Sequence, residues 1–574
     1  MDESSTTKQA EGARAGGRQW AVLVVLCVSL LVVALDNTIL NVALPTLVRK
    51  LHASDSQLQW IVDGYTVVFA GLLITFGSLG DRAGRRGALL IGLVVFAAGS
   101  ALSAFSSSAG ELIGFRCVMG LGGALVMPAT LSILTNVFTV PKERARAIGI
   151  WSGTSGLGIA IGPIIGGWLL SHFWWGSVFL VNVPIVAVGL VAVTTLVPTS
   201  KDQDARRPDP VGTVLSIAGL GTLLWGIIEA PVDGWADSAV LAALSGGAVL
   251  LAIFVVWELR SDHPMFRMDF FANARFSAAS VSVSLVFFAL FGAMFLLTQY
   301  LQSVLGYSPL QAGVRLAPVA VTLVVAAPLA SLVVERVGTK LVVVAGLSIV
   351  AIGLGLLSRL TVNSGYLPVL VTILVAGLGM GLTLSPATEA IMGSLPQREA
   401  GVGSAMNGTD IQVGGALGVA VLGSVLNQHY RGHLAPTLAA LHLPAVMAHA
   451  ANSSVGGALA VAARLPAAAG PLLAGAAKAS YVGGVNVADL LGMSVAIAGA
   501  LTALFFLPAR AAPVAPVIVP GEPGPQVLSS PTAGRGYPRR RQDYRRDVRQ
   551  DAGYEAGRGA GHGEGYEAGH GGGK

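Results

Sequence analysis

The chain has 574 residues and a formal net charge of +6, with 53 % hydrophobic and only 11 % charged side chains. Roughly a quarter of the residues in a soluble domain are charged, so this composition excludes an ordinary water-soluble globular protein. Apolar runs recur along the chain, each of about 20 residues and long enough to cross ~30 Å of hydrocarbon as a helix. The sequence therefore predicts an integral membrane protein.

Fourteen of these runs are predicted to span the membrane as helices. They lie at about 20–44, 59–79, 88–107, 111–135, 147–170, 178–198, 211–230, 238–258, 277–299, 311–333, 341–358, 367–390, 402–426 and 485–507. The only two cysteines, Cys27 and Cys117, lie inside such runs, so no disulfide framework is predicted. The first run is too long for the core of a signal peptide, which indicates a permanent span.

The segments outside the runs differ in composition. Residues 1–19 form an N-terminal tail, and 199–258 hold a linker followed by two spans. Residues 427–484 are Ala-rich but contain several Pro and basic residues, which predicts a long outer loop. The tail 508–574 is rich in Gly, Pro and Arg, a composition that cannot bury a core and predicts disorder. Its cluster 539–541 of three arginines favours anionic lipid over nucleic acid as a partner.

Lys and Arg are distributed unevenly between alternate connections. Eighteen fall in the N-terminal tail and in the connections that follow even-numbered spans, whereas the short connections on the other side hold only Arg49, Lys50 and Arg359. Connections rich in Lys and Arg remain in the cytoplasm. Because the number of spans is even, both termini are predicted to be cytoplasmic.

Three short motifs occur twice in the same order, at offsets of 254, 258 and 255 residues. They are 79–86 with 333–340, Pro128-Ala129-Thr130 with Pro386-Ala387-Thr388, and Gly153-Thr154 with Gly408-Thr409. Spans one to six (20–198) therefore map onto spans nine to fourteen (277–507), and spans seven and eight are an insert. Two parallel six-helix halves related by an axis along the membrane normal place a substrate site between them.

Several of these segments resemble motifs of the major facilitator superfamily, and in particular of its fourteen-helix drug:proton antiporters. Residues 35–45, LDNTILNVALP, resemble the first-helix signature, and 77–86, GSLGDRAGRR, the loop motif between helices two and three. Residues 112–120 resemble the fourth-helix motif, and 158–167, GIAIGPIIGG, the fifth-helix antiporter motif. The resemblance covers about residues 20–507. It implies an all-α membrane protein with the major facilitator fold, built from two six-helix halves plus two central inserted helices.

Charged side chains inside a bilayer are costly and usually mark ion or substrate paths. Asp36 in span one and Arg116 in span four are predicted to lie at similar depth. Burial favours the neutral form of a carboxylate and a nearby guanidinium favours its charged form, which suits a group that takes up and releases a proton. We predict that Asp36 exchanges the proton or meets a cationic substrate and that Arg116 tunes it. A static structural ion pair is the alternative.

Two further carboxylates lie in spans. Asp63 is at the outer end of span two, and we predict either an acid at the outer mouth or a solvated interfacial group. Asp410 lies about eight residues into span thirteen. A lone carboxylate at that depth must face the central cavity or a partner, so we predict a substrate or proton role.

The connection between spans two and three combines an acid, glycines and several arginines just inside the membrane. We predict that it is a conformational latch that must break when the transporter changes facing. Anchoring by positive charge accounts for the arginines but not for the acid or the glycines. The predicted latch comprises Gly77, Gly80, Asp81, Arg82, Gly84, Arg85 and Arg86.

Span five carries small residues that permit close helix packing, together with a proline that removes a backbone hydrogen bond. These residues are Gly158, Gly162, Pro163, Gly166 and Gly167. Generic close packing is one reading of this pattern. The resemblance implies that the helix belongs to the antiport machinery.

No Walker A pattern is present, and no constellation of His, Cys and carboxylates suggests catalysis or a metal site. We expect no enzyme activity, no metal and no cofactor, with the proton gradient as the energy source. The predicted function is proton-coupled export of amphipathic, cationic drugs across the cytoplasmic membrane. Export of an endogenous metabolite, lipid or peptide is the second reading, and a non-transporting membrane sensor the third. We expect a monomer that contacts membrane lipid and does not bind nucleic acid.

Overall fold

The chain folds as a bundle of long helices in a computed structural model that describes residues 3–201, 208–261, 264, 268–395 and 400–508. No β-strand occurs within these ranges. The fourteen long helices are α1 Glu3–Leu51, α2 Asp55–Ala83, α3 Arg85–Ala104, α4 Ala109–Val137, α5 Pro141–His172, α6 Ser177–Leu196, α7 Pro210–Asp233, α8 Ser238–Arg260, α9 Ala274–Val304, α10 Pro309–Val337, α11 Thr339–Leu357, α12 Tyr366–Met392, α13 Ala400–Leu441 and α14 Ala469–Phe506.

The helices have the length and composition needed to cross a membrane. Among the residues that the structure describes, thirteen of them carry a sufficiently apolar stretch. The remaining helix, α5, is 32 residues long and coincides with the predicted fifth span. Large apolar side chains such as Val249 and Leu259 on α8 are exposed, as expected of a surface that faces lipid. The predicted fold class, an all-α membrane protein with fourteen spans, is confirmed.

The helix packing repeats between the two halves. In the first half α4 packs on both α2 and α3, α1 on α5, and α3 on α6. In the second half α12 packs on both α10 and α11, α9 on α13, and α11 on α14. The repeat extends to the turns, because Gly84 between α2 and α3 and Gly338 between α10 and α11 both have positive φ, at 130° and 88°. Glycine adopts this backbone conformation without steric cost. The packing thus carries the internal duplication that the motifs predict.

The halves meet through symmetric helix pairs. Helix α1 packs on α9, α2 on α13, and α5 on α10. The inserted α7 lies along the seam between α2 and α13, and α8 packs on α7. An apolar cluster at this seam joins Val67 of α2 to Leu224 of α7 and Ala420 of α13. The insert is therefore attached to both halves.

The predicted outer loop 427–484 differs from the structure, which is helical through most of this segment. Helix α13 continues to Leu441, α14 begins at Ala469, and two short helices, Ala445–Ser453 and Val455–Ala462, lie between them. Alanine has the highest helix propensity, so an Ala-rich segment forms helix readily. Pro444 and Pro466 lie between helices, whereas Pro471 falls in the first turn of α14, where proline is tolerated. We call this extension, together with the α1–α2 turn at residues 52–54, the hairpin end of the bundle. The predicted disordered tail, residues 509–574, lies outside the described residues.

Candidate transport site

The predicted pair of Asp36 and Arg116 is present between α1 and α4. The Arg116 Nη1 donates to Asp36 Oδ2, and both residues are 1 % exposed. The Arg116 Nε donates to the Ile61 carbonyl of α2 at 3.0 Å. The guanidinium carbon also lies 4.4 Å from the ring centroid of Tyr65, within range of a cation–π interaction. Arg116 thus ties α1, α2 and α4 together around the Asp36 carboxylate.

This arrangement fixes the carboxylate in the interior rather than toward lipid. Burying a charge is tolerated only when it is paired and hydrogen-bonded, and Arg116 provides both. A protonated Asp36, or a cationic substrate that competes with Arg116, would break the pair. The site can therefore couple the protonation of Asp36 to the position of α4 relative to α1. Its role in proton exchange remains a prediction.

Asp63 lies on α2 and is completely buried, with neither carboxylate oxygen hydrogen-bonded to any described residue. It follows Gln59 by one helical turn, on the face of α2 that packs on α13. The interior position excludes the solvated interfacial alternative for Asp63 in this conformation. The predicted role at the outer mouth is not tested by these observations.

Asp410 lies on α13 and is half-buried, with Ser280 of α9 beside it. Its Oδ2 accepts no hydrogen bond from the part of the chain that the structure describes. Gln412, two residues further along α13, is buried with its Oε1 also unpartnered. Polar atoms without partners inside a bundle mark places where water, a proton or a polar ligand can bind. The structure thus brings Asp36 together with Arg116 but leaves Asp63 and Asp410 without a charged partner.

Two buried amides join the halves near the hairpin end, and the sequence analysis did not identify them. The Gln59 Nε2 of α2 donates to the Val419 and Ala420 carbonyls of α13, at 3.1 and 3.2 Å. The Gln302 Nε2 of α9 donates to the Val42 carbonyl of α1 at 2.8 Å. Each half therefore contributes one glutamine that bonds the backbone of the other. A lone amide near the end of an apolar span was the available signal, but it does not indicate which helix the amide meets.

The predicted latch residues lie within the first half. Asp81 forms an ion pair with Arg85 Nε at 2.6 Å, across the α2–α3 turn at Gly84. Arg86 donates to the Thr194 carbonyl of α6, while Arg82 is exposed. Gly80 and Gly77 lie close to α3 and α4, since a Cβ on them would meet Ala88 at 3.0 Å and Pro128 at 3.3 Å. The Asp81–Arg85 pair stabilises the turn, and its breaking during transport remains a prediction.

The predicted antiporter helix α5 packs closely on α1 and on α10. A Cβ on Gly158 would lie 2.6 Å from that of Ala34, and one on Gly162 would overlap Thr38. A Cβ on Gly166 would face the Ile39 carbonyl, and a Cβ on Gly167 would lie 2.6 Å from the Pro309 carbonyl oxygen of α10. The Pro163 carbonyl in turn faces a glycine of α10, Gly313. The small residues of α5 thus permit close contact with the first half on one side and the second half on the other.

No group of three or more His, Cys, Asp or Glu side chains able to hold a metal is found among the described residues. His429 and His433 stack with ring centroids 3.8 Å apart near the hairpin end, with no third ligand. The chemistry of the site therefore rests on carboxylates, one guanidinium and amides. Such groups can bind protons and cationic ligands.

Comparisons with known proteins agree with this architecture. The family model described as Major Facilitator Superfamily matches residues 26–419. The chain is 38 % identical to the multidrug efflux pump LfrA of Mycolicibacterium smegmatis, over 84 % of this chain and 95 % of that protein. It is 34 % identical to the tetracenomycin C resistance and export protein of Streptomyces glaucescens, over 93 % of this chain and 99 % of that protein. It is also 33 % identical to the methyl viologen resistance protein SmvA of Salmonella typhimurium, over 82 % of this chain and 94 % of that protein.

A solved structure shares the fold. It is that of a bacterial homologue of the human lysosomal transporter Spinster, in an inward-facing and occupied conformation. The TM-score is 0.60 at 18 % sequence identity, with 86 % of this chain and 98 % of that chain covered. At this identity the likeness concerns the fold alone.

Proposed function

Because the chain belongs to the major facilitator superfamily, we propose that it exports amphipathic, cationic drugs across the cytoplasmic membrane in exchange for protons. The observation that carries the proposal is the buried Asp36–Arg116 pair, together with the carboxyls of Asp63 on α2 and Asp410 on α13, which form no ion pair within the described residues. The similarity to drug efflux and resistance proteins supports the drug as cargo.

The proposed cycle uses the contacts between the halves. These contacts concentrate toward the hairpin end, where Gln59 bonds α13, Gln302 bonds α1, and Gly167 meets α10. With both termini in the cytoplasm, as the Lys and Arg distribution indicates, the hairpin end is the outer side. The described conformation is then closed to the outside. When the hairpin end is open, protons from the outside bind the carboxylates and weaken their hold on Arg116 and on a bound cation, which leaves to the outside. The halves then rock back to the described conformation, and the protons leave to the inner side.

The test uses purified protein reconstituted in vesicles with an acidic lumen. An inwardly acidic gradient should drive accumulation of ethidium, an amphipathic cation, and a proton ionophore should abolish it. Asp36→Asn should eliminate the gradient-driven accumulation. Full gradient-driven export by Asp36→Asn, or no response of the wild type to the gradient across a broad panel of cations, would overturn the proposal. The matched control is Glu389→Gln, which removes an exposed carboxylate of α12.

A second cargo class is an endogenous antibiotic or related metabolite, because the tetracenomycin C exporter aligns over nearly its whole length. In the same vesicles, proton flux elicited by tetracenomycin C but not by ethidium or methyl viologen would favour this class. Flux with the cations alone would favour the first. The proton coupling is common to both and is tested by the same gradient.

A further inference from the structure

One buried acid takes no part in the site described above. Asp489 lies on α14, twenty residues after the first residue of that helix, Ala469, and it is 0 % exposed. Neither of its carboxylate oxygens is hydrogen-bonded to any residue within the described ranges. The ion pairs found in the same ranges do not involve it.

The residues one turn from Asp489 on its own helix are apolar except for Asn486, whose Nδ2 donates to the Leu360 carbonyl at 3.1 Å. Helix α14 packs on α9, α11 and α13. One turn before Asp489, Val485 is buried, and at the next turn Gly492 lies against Leu354 of α11 and Leu422 of α13. The titratable side chains of these three neighbours are Arg275, Tyr300, Lys340, Asp410, His429, Tyr430, Arg431 and His433.

A carboxylate in such a place has no group to compensate its charge. Burial of an isolated charge is so costly that the group neutralises instead. The geometry therefore requires the carboxylic acid form in this conformation, and the proton itself lacks a hydrogen-bond acceptor. An acid inside the membrane that has neither an ion pair nor a hydrogen bond to stabilise it is a candidate for carrying a proton.

Two further buried titratable groups, Tyr481 and Asp55, lie on the side of Asp489 that faces the hairpin end, without hydrogen bonds to one another. Tyr481, two turns earlier on α14, is fully buried and donates its hydroxyl to the Leu296 carbonyl at 2.8 Å. Its side chain lies within range of the charges of both Asp489 and Asp55. Asp55 is the first residue of α2, is buried with both oxygens unpartnered, and lies within range of the Arg431 charge.

We propose that Asp489 is a further proton-carrying residue of the transporter, loaded from the hairpin end past Asp55 and Tyr481. The inference rests on the proposed proton-coupled export and adds a proton site on α14 to the carboxylates already proposed. Loading forms one O–H bond on the Asp489 carboxylate with a proton from the outer side. Release breaks that bond and delivers the same proton to the inner side after the halves rock. The proposed cargo of this site is the proton, because no group of His, Cys, Asp and Glu side chains that could hold a metal occurs among the described residues.

The test compares Asp489→Asn, Asp489→Glu and wild type in vesicles, with Glu389→Gln as the matched control. Two transport readouts are used: ethidium accumulation driven by an acidic lumen, and ethidium exchange without a gradient. Asp489→Asn should lower the driven accumulation about tenfold, the scale of a typical coupling between sites, and leave exchange unchanged. Asp489→Glu should restore part of the driven accumulation.

A spectroscopic readout tests the site without transport. Infrared spectra of the purified protein should contain a protonated-carboxyl band that shifts in 2H2O and is missing in Asp489→Asn. Tyr481→Phe should slow the driven accumulation while leaving that band in place. A wild type that responds to the gradient, with Asp489→Asn equal to it in driven accumulation, would overturn this inference alone. A wild type without any response to the gradient would overturn the proposed function first.

Discussion

The buried acids of the first and last helices have opposite surroundings within a repeated scaffold. Asp36 of α1 is held by Arg116, whose guanidinium also bonds the Ile61 carbonyl and lies over Tyr65. Asp489 of α14 is completely buried, and neither of its carboxylate oxygens has a hydrogen-bond partner in the described chain. The helix packing of the two halves is the same, so the duplication extends to the backbone but not to the charges. Helix α1 holds an ionised pair, and helix α14 holds a neutral acid.

This difference predicts opposite responses to substitution. Breaking an ion pair leaves an uncompensated charge, whereas replacing a lone neutral acid by an apolar residue removes an unsatisfied polar group. The comparison between the two buried acids can therefore be tested by measuring the free energy of unfolding as well as transport.

The largest effect is expected for Arg116→Met, which leaves the Asp36 carboxylate buried without its cation. Removing one partner of a buried pair costs about 3–5 kcal/mol, and transport should be lost. The measurement is unfolding of the detergent-purified protein by denaturant, with driven ethidium accumulation in parallel. The double variant Asp36→Asn with Arg116→Met should recover much of the stability but not the transport. Equal stability of the single variant and wild type would show that the pair is not buried as described.

The next effect has the opposite sign. Asp489→Leu replaces an unpartnered acid by an apolar side chain of similar size, and should raise the free energy of unfolding by about 1–3 kcal/mol. The same denaturant series checks it, with Asp489→Asn expected to lie close to wild type. A destabilised Asp489→Leu variant would indicate a polar partner or bound water at the site and would remove the contrast with Asp36.

The spans, their repeat and the Asp36–Arg116 pairing were predictable because each depends on local patterns. The length of the apolar runs predicts the spans. The positions of Asp36 in span one and of Arg116 in span four predict that both side chains lie at the same depth in the membrane. Asp489 was not identified, because span fourteen was predicted to begin at residue 485 and the acid then appeared to be at its outer end. The helix begins twenty residues before the acid, at Ala469, and the acid is completely buried.

The contacts between the halves could not be predicted for a different reason. Gln59 and Gln302 bond backbone carbonyls that lie hundreds of residues away in the sequence, and nothing local indicates which helices will meet. The helical hairpin in 427–484 was missed because its prolines were weighted above its alanines. Two of its four prolines fall between helices and a third falls in a first turn, where proline is compatible with helix. The fourth, Pro436, lies inside α13.

The seam offers a test in which the halves should behave alike. Gln59→Ala and Gln302→Ala each remove side-chain hydrogen bonds between the halves, with a net contribution of about 1 kcal/mol per bond. Each variant should shift the population toward a conformation open at the hairpin end. Spin labels at Lys50 and Gln428, both exposed near that end, would report a longer distance by pulsed electron resonance. Opening by one variant and not by the other would show that the two bonds do not contribute equally to closure of the hairpin end.

The smallest effect is expected at the repeated turn between the second and third helices of each half. Asp81 pairs with Arg85 across Gly84, whereas its counterpart Glu335, beside Gly338, is exposed and forms no ion pair in the described residues. The Asp81–Arg85 pair is partly solvated, so Asp81→Asn should change the free energy of unfolding by less than about 1 kcal/mol. If the pair must break and re-form in each cycle, the variant should slow driven accumulation several-fold with normal membrane insertion. Glu335→Gln is the matched control and should transport at the wild-type rate. Equal rates for the two variants would indicate that the turn only anchors the bundle, and that the halves differ in their buried acids alone.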